Sequence, residues 1–200
     1  DENPRGFGLL RRDRNFDHYQ DLETRFEDQP GYWVKPKGDW GKGHVELVEI
    51  PSPSEGNDNI VAFWVPQNKP AAGTELTFEY QIAATQDGRE LHELSQVTDT
   101  RIMAVPALGD DEPAATRFML NFAGEELDYY LADLDHLSAD ISASNAVVRN
   151  VRIVKDTENG GVRVIFDLIG TGEAASSNLR AFLQYDGRVL SETWTMPWVF

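Results

Sequence analysis

Short stretches in which apolar and polar residues alternate recur along most of the chain, and they predict β-strands. In residues 75–83 every second side chain is apolar, which is the period of a strand with one buried face. Between residues 45 and 83 the strands are separated by turns and not by helices, so the sheets should be antiparallel. The other predicted strands cover residues 7–10, 45–50, 60–65, 100–105, 117–122, 146–155, 162–169, 179–185 and 192–199.

A short helix is predicted near the beginning of the chain, where apolar residues recur at intervals of three and four. These residues are Phe16, Tyr19, Leu22 and Phe26. The spacing places them on one face of a helix, with acidic residues on the exposed face. Asn15 or Asp17 would cap its beginning, and Pro30 would end it.

The second half of the chain contains five or more predicted strands within some 90 residues, which is typical of a small immunoglobulin-like sandwich. Asn159-Gly160-Gly161 and Asp186-Gly187 are hairpin signals between such strands. Residues 128–137 fit either one helical turn or a loop that crosses between sheets. The polar, turn-like residues 109–113 predict a domain boundary near residue 110.

Composition limits the classes of function that the chain can have. With 200 residues and 40% hydrophobic content it can build a substantial core, and its net charge of −16 argues against nucleic acid or an anionic membrane as partner. It has no cysteine, and no apolar run approaches the roughly 20 residues that span a bilayer. Because it begins at Asp1 and not at Met, we expect a processed product or a piece of a longer protein.

Residues 31–43 hold the most distinctive candidate chemistry, since Asp39 lies there among two tryptophans, three lysines and four glycines. We interpret this stretch as a glycine-rich loop that carries a site, because the flat faces of Trp33 and Trp40 suit sugar rings. The alternative is a tight surface turn in which Trp40 packs into the core and Asp39 caps the turn. The four histidines are scattered and are interpreted as surface or packing residues, so no metal site is expected; they are His18, His44, His92 and His136.

Long ordered segments of the sequence closely resemble the periplasmic glucan biosynthesis proteins G and D. They are GFGLLRRDR at 6–14, WVKPKGDWGKG at 33–43, NDNIVAFWVP at 57–66, FMLNFAG at 118–124 and LSETW at 190–194. The resemblance covers essentially the whole chain, although members of that family are considerably longer.

The resemblance implies an all-β fold with two domains. Residues 1–108 would be the C-terminal part of a large galactose-mutarotase-like β-sandwich, residues 109–115 a linker, and residues 116–200 an immunoglobulin-like β-sandwich. A sandwich that lacks its first strands would leave unpaired edges, and the strands of residues 45–83 would lack a partner sheet.

The resemblance also implies a periplasmic protein of osmoregulated β-1,2-linked glucan biosynthesis, acting when complete as an inverting β-1,2-glucanase. Its general acid falls on Asp39 of this chain and its base upstream of Asp1, so residues 1–200 alone should be inactive. The proposed sugar groove consists of Trp33, Trp40, Lys37, Lys42, Arg12 and Asp13. For the two tryptophans the alternative is core packing beside a surface ion cluster.

The expected ligand is a β-glucan oligosaccharide or polysaccharide, with no cofactor, no metal and no nucleic acid, and a protein partner in glucan synthesis is a further expectation. Two other classes of function stay open. The chain could be a carbohydrate-binding or assembly module without turnover, or a structural immunoglobulin-like piece that docks a partner. Release of reducing sugar separates the enzyme from the binding module, and glucan affinity separates the binding module from the structural piece.

Overall fold

A computed structural model describes residues 2–54, 56–88, 91–107, 113–172 and 175–200. Antiparallel strands dominate this part of the chain, and each of its two α-helices is four residues long. The predicted all-β class is confirmed. The chain divides into two compact units, Asp1–Leu91 and His92–Phe200, which we call unit 1 and unit 2. None of the helices described is long and apolar enough to cross a membrane.

Within its described residues, unit 1 forms two small antiparallel sheets. The central strand β2 pairs with β1 and β5, and β3 pairs with β4. The strands predicted at 7–10, 45–50 and 60–65 are confirmed with small differences at their ends. The elements of unit 1 are β1 (Phe7–Leu9), α1 (Phe16–Tyr19), a 3-10 turn (Phe26–Asp28), β2 (Gly31–Lys37), β3 (Gly43–Glu49), β4 (Ile60–Pro66) and β5 (Glu79–Thr85).

Residues 31–43 are not a single loop, and this part of the sequence interpretation is wrong. Gly31–Lys37 is strand β2, which has a partner on both sides. Gly8 of β1 allows the close approach, because a Cβ there would lie 1.9 Å from the Tyr32 carbonyl oxygen. Only residues 38–42 form a turn, and within it Gly38 and Gly41 have left-handed backbone conformations.

Strand β5 begins at Glu79 and not at residue 75, as the alternation predicted. Glu79 pairs with Lys37, the last residue of β2. Since the chain turns away after Lys37, the residues before Glu79 have no β2 partner to continue the ladder. Leu76 and Phe78 therefore precede the strand.

The predicted helix over residues 16–26 is also wrong in extent. Asn15 is its N-cap, because its side-chain oxygen accepts a hydrogen bond from the Asp17 amide at 3.0 Å. The helix stops after Tyr19, where Gln20 takes a left-handed conformation with φ of 54°.

Asp21 starts a new turn in place of continuing the helix. Its Oδ1 accepts the amides of Glu23 and Thr24, both at 2.9 Å, a local bond that competes with helix formation. Leu22 is 77% exposed, so the apolar spacing does not mark a buried helix face. Arg14 then donates to the backbone carbonyl of Glu27 at 2.7 Å, which holds the 3-10 turn against the preceding segment.

In the part that the structure describes, unit 2 is built from two four-stranded antiparallel sheets. One has the order β6-β7-β10-β9, and in the other β11 pairs with β8, β12 and β13. Side chains of both sheets share one apolar core, so unit 2 is a β-sandwich. Its elements are β6 (Gln96–Val105), β7 (Ala115–Ala123), α2 (Glu125–Asp128), β8 (Leu137–Ala143), β9 (Ala146–Lys155), β10 (Val162–Gly170), β11 (Ser176–Tyr185), β12 (Arg188–Val189) and β13 (Trp194–Val199).

The core of unit 2 follows the alternation of its sequence. Phe118 and Phe166 stack with ring centroids 5.2 Å apart, and Trp198 meets Phe118 edge-on at 5.3 Å. Every buried hydrophobic side chain among the described residues belongs to unit 2. In unit 1, by contrast, large apolar side chains of the sheets are exposed, among them Val45, Leu47, Phe63, Tyr80 and Ile82.

Both predicted hairpin turns are confirmed. Gly160 and Gly161 connect β9 to β10 with φ of 82° and 76°, and Asp186 and Gly187 connect β11 to β12 with φ of 47° and 82°. Gly161 is doubly constrained, because a Cβ there would lie 2.0 Å from the Phe122 carbonyl oxygen.

The two compact units adjoin in sequence at Leu91 and His92, whereas the sequence predicted a domain boundary near residue 110. Strand β6 was assigned to the first domain, but it pairs with β7 from Gln96↔Ala123 to Val105↔Ala115 and belongs to unit 2. Most of the predicted linker 109–115 lies outside the described residues, and Ala115 already opens β7. In residues 128–137 the sequence pattern missed the start of β8, which pairs with β11.

Candidate functional site

Asp39 lies in the tight connection between β2 and β3, residues 38–42, which we call the Asp39 turn. Its carboxylate is exposed, and Oδ1 accepts a hydrogen bond from the Gly41 amide at 2.8 Å. Asp39 therefore caps its own turn, as the alternative interpretation of the sequence expected, while its carboxyl group stays accessible to a ligand.

Trp40 anchors the turn to the body of unit 1. Its Nε1 donates to the Glu79 carbonyl oxygen at 3.1 Å, and its half-buried ring packs edge-on against Phe78 at 5.0 Å. Three further aromatic rings lie within 6.3 Å, those of Phe7, Trp64 and Tyr80. Edge-to-face contacts of this kind add to the stability that burial provides, so the turn rests on a fixed aromatic cluster.

Residues near the start of the chain hold the other side of the Asp39 turn. The Asn3 side-chain oxygen accepts hydrogen bonds from the amides of Trp40 and Gly41, both at 2.9 Å. The Asn3 amide donates to the Gly41 carbonyl oxygen at 2.9 Å, and Glu2 forms an isolated β-bridge with Lys42. Sequence reasoning missed Asn3, since no local pattern links it to a turn 37 residues away.

The predicted lysines lie at the ends of this turn with exposed side chains. Lys37 is the last residue of β2, and Lys42 precedes β3. Lys42 also borders an open depression of about 600 Å³, whose lining includes Glu2, His44, Gln67 and Lys69. Its lining combines these charged and amide groups with the apolar side chains of Val65 and Pro66.

Trp33 lies in the middle of β2, where it pairs with Gly8 and Ala83. A Cβ at Gly6 would lie 2.3 Å from the Trp33 Nε1, so the backbone before β1 passes directly beside the indole. Trp33 is half-buried by this contact, and it belongs to the strand and not to the turn that carries Asp39.

The predicted pair Arg12 and Asp13 lies in the segment between β1 and α1, and both side chains are exposed. Asp13 Oδ2 contacts His18 Nδ1 at 2.7 Å, and Oδ1 accepts the Asn15 amide at 3.1 Å. The hydrogen bond from His18, followed by that from Asn15, holds the pKa of Asp13 below its usual value. The structure thus ties Asp13 to the α1 segment, whereas Asp39, Trp40 and Lys42 share one turn.

The segment around α1 is held together by arginine side chains. The Arg11 guanidinium lies 5.6 Å from the ring centre of Tyr19 and 5.4 Å from that of Phe26. Arg25 pairs at 2.5 Å with Glu27, whose side chain is only 5% exposed. Within the described ranges, no group of three or more acidic or histidine side chains could hold a metal ion.

Comparison with known proteins shows what the chain is related to. Its residues 1–198 match the family described as "Periplasmic glucan biosynthesis protein, MdoG". The chain belongs to this family. "Glucans biosynthesis protein D" of Stenotrophomonas maltophilia (strain K279a) is 42% identical over 196 residues, which are 97% of this chain and 36% of that relative. The protein of the same name from Xanthomonas campestris pv. campestris (strain B100) is 41% identical over 201 residues, 99% of this chain and 38% of that relative.

Membership of the periplasmic glucan biosynthesis family confirms the resemblance on which the sequence interpretation rested. The chain spans little more than a third of the length of the relatives named above. The role of Asp39, the six residues of the sugar groove and the naming of the two domains stay predictions.

Proposed function

We propose that this chain is part of a periplasmic protein of osmoregulated glucan biosynthesis that acts on the glucan backbone. In the complete protein, the activity is inverting hydrolysis of β-1,2-linked glucan, with Asp39 as general acid. One observation carries the proposal: an exposed carboxyl group stands on a turn fixed by an aromatic cluster and by backbone hydrogen bonds. Family membership supports the glucan as substrate class and the periplasm as location.

Inverting hydrolysis requires two carboxyl groups, roughly 6.5–9.5 Å apart, one on each side of the scissile bond. Asp39 protonates the leaving glycosidic oxygen, and a second carboxylate activates the attacking water. We place that base in the part of the family's length that this chain does not span. Residues 1–200 alone are then expected not to cleave glucan.

The sugar chain contacts both aromatic and charged groups of unit 1. Trp33 and Trp40 are half-buried and offer their remaining ring surface to glucose units, while exposed charged groups bond to hydroxyls. The charged groups are Lys37, Lys42, Arg12 and Asp13.

Replacing Asp39 by Asn in the complete protein tests the assignment. An amide keeps an oxygen for the Gly41 amide but cannot donate the proton, so turnover should fall by about 10²- to 10⁴-fold while glucan affinity is retained. The matched control is Asp58→Asn, another exposed acid of unit 1, which should leave turnover unchanged. Near-normal release of reducing sugar by Asp39→Asn would show that Asp39 is not the acid.

The groove needs a separate test, because ligand contact and catalysis can fail independently. Glucan added to the complete protein should change the fluorescence of Trp33 and of Trp40, each observed as the difference between the parent protein and its Trp33→Phe or Trp40→Phe variant. Trp198 of unit 2 serves as the control indole. If saturating glucan alters neither Trp33 nor Trp40, their role is packing alone.

One observation favours a second candidate, a glucan-binding or assembly module without turnover. The charged residues that flank Asp39 are Lys37 and Lys42, not a second carboxylate. A complete protein that binds β-1,2-glucan but releases no reducing sugar would establish this module in place of the hydrolase.

A further inference from the structure

We propose that Asn3 is a positioning residue that sets the direction of the Asp39 carboxyl group. The inference rests on the proposed role of Asp39 as general acid. In this role Asn3 acts on the reaction through the backbone of the Asp39 turn and not by contact with the ligand.

The geometry of the Asn3 side chain supports this role. One oxygen accepts two consecutive amides, those of Trp40 and Gly41, each at 2.9 Å. The Asn3 backbone amide returns a third bond of 2.9 Å to the Gly41 carbonyl oxygen. Three bonds from one residue therefore define the plane of the peptide groups that directly follow Asp39.

The Asp39 turn needs an external support because its own sequence is permissive. Gly38 and Gly41 have φ of 72° and 71°, and a Cβ at either position would meet nothing within 4 Å. Glycines in open space restrict the backbone little. The Asp39 carboxylate bonds to the Gly41 amide itself, so whatever orients that amide also orients the carboxylate.

The conformation of Asn3 narrows the choice of test variants. Asn3 has φ of 51°, a left-handed conformation that Asn, Asp and Gly adopt more readily than other residues. Asn3→Gly removes the accepting oxygen without adding backbone strain, and Asn3→Asp keeps an oxygen at the same place. Asn3→Asp also adds a negative charge close to the Asp39 carboxylate, since both side chains accept from the Gly41 amide. The kcat values of the variants and the parent are therefore compared at the pH optimum of each.

The first measurement is hydrogen exchange of the Trp40 and Gly41 amides in the complete protein. In Asn3→Gly the Trp40 amide should exchange about tenfold faster, the change that corresponds to the net contribution of one hydrogen bond. The Gly41 amide should change less, because it keeps Asp39 Oδ1 as an acceptor. In Asn3→Asp both amides should exchange at the parent rate. The amides of β4 serve as the control and should not change in either variant.

The second measurement is steady-state hydrolysis of β-1,2-glucan. A misdirected acid lowers kcat, and displacement of a reacting group by about 1 Å can reduce the rate roughly 10²-fold. We expect Asn3→Gly to lower kcat by about 10- to 100-fold with little change in KM, and Asn3→Asp to restore it. A residue with a merely structural role would instead lower stability and the active fraction without a kcat effect per folded molecule.

The outcomes separate this inference from the proposed function. If Asp39→Asn is inactive and Asn3→Gly is fully active, the role of Asn3 is refuted and the assignment of Asp39 as general acid stands. Parent-like exchange of the Trp40 amide in Asn3→Gly would equally overturn the role of Asn3. Active Asp39→Asn would refute the acid itself, and with it any positioning of that acid by Asn3.

Discussion

The ion pair between Arg117 and Asp167 offers the sharpest test of how unit 2 is stabilised. The two residues face each other across β7 and β10. Arg117 donates twice to the carboxylate, at 2.6 Å and 2.9 Å, and Asn150 donates a third bond at 2.9 Å. The Asp167 side chain is only 4% exposed, so its charge depends on these partners.

The perturbation is Arg117→Met, which keeps much of the apolar stem and removes the guanidinium. Removing one partner of a buried ion pair typically costs 3–5 kcal/mol. The Arg117 side chain is 27% exposed, so water can enter the space left by the guanidinium. We therefore expect the lower end, about 3 kcal/mol in the free energy of unfolding of unit 2.

An exposed arginine–aspartate pair of the same unit provides the control. Arg101 donates to Asp99 at 2.7 Å, but their side chains are 62% and 39% exposed. Exposed pairs contribute about 0.2–1 kcal/mol, so Arg101→Met should change stability by no more than that. The two pairs differ mainly in burial and in the number of hydrogen bonds to the carboxylate.

The effect of Arg117→Met should also depend on pH. The hydrogen bond from Arg117 is the main cause that lowers the pKa of Asp167, against the opposing effect of burial. A lowered pKa in the folded state contributes stability that is present above the unfolded value of about 3.9 and is lost as pH falls through the folded value. The stability that Arg117 adds to the parent should be constant near neutral pH and should be lost as pH falls through the lowered folded pKa of Asp167.

The assay is equilibrium urea unfolding, with the backbone amides of β7 and β10 followed by NMR so that unit 2 is observed by itself. The double variant Arg117→Met/Asp167→Leu should recover much of the lost stability, because it leaves no buried charge unpaired. A loss below about 1 kcal/mol for Arg117→Met, equal to that of the surface control, would refute the argument from burial.

Three further predictions concern the two units. Gly161→Ala should destabilise unit 2 by more than Gly160→Ala, because of these two changes only Gly161→Ala places a Cβ 2.0 Å from a backbone oxygen. For Gly160→Ala we expect only the cost of an alanine in a left-handed conformation, about 1–2 kcal/mol. Equal urea midpoints for the two variants would contradict this. The hydrogen bond to Asp186, with the charges of Asp186 and Asp133, raises the pKa of His136. His136 therefore contributes stability that is present below its unfolded pKa and is lost as pH rises through the folded pKa. His136→Gln should thus narrow the difference between melting temperatures at pH 5.5 and pH 8, and an unchanged difference would argue against the pair. Urea should unfold unit 1 before unit 2, because the buried apolar side chains of the described chain lie in unit 2; a single transition for β2 and β10 amides would contradict this.

Much of unit 2 was predictable because its signals are local. Alternation places Phe118, Leu120 and Phe122 on one face of β7, and the structure buries all three. Gly161 and Gly187 predict hairpin turns because only certain residues tolerate positive φ in tight turns. Strand β8 was not predicted, because the positions that face the core include the small residues Ala139 and Ala143, which give a weak apolar signal.

The sequence predicted one loop for residues that the structure divides between a strand and a turn. Asp39 and Trp40 lie in the turn, whereas Trp33, which was assigned to the same loop, lies in the middle of β2. The glycines suggested a loop, but pairing with β1 and β5 on both sides outweighed that local preference.

Local periodicity and long ordered matches were enough to predict the all-β class, the hairpin turns, most strand positions in unit 2 and the family. The pairing of β6 within unit 2, the end of the first helix after Tyr19 and the support of the Asp39 turn by Asn3 became visible only in the folded chain. Each of these depends on bonds between residues that are distant in the chain, or on competing side-chain bonds to the backbone. Local composition does not encode such partners, since their energies appear only when the strands are assembled.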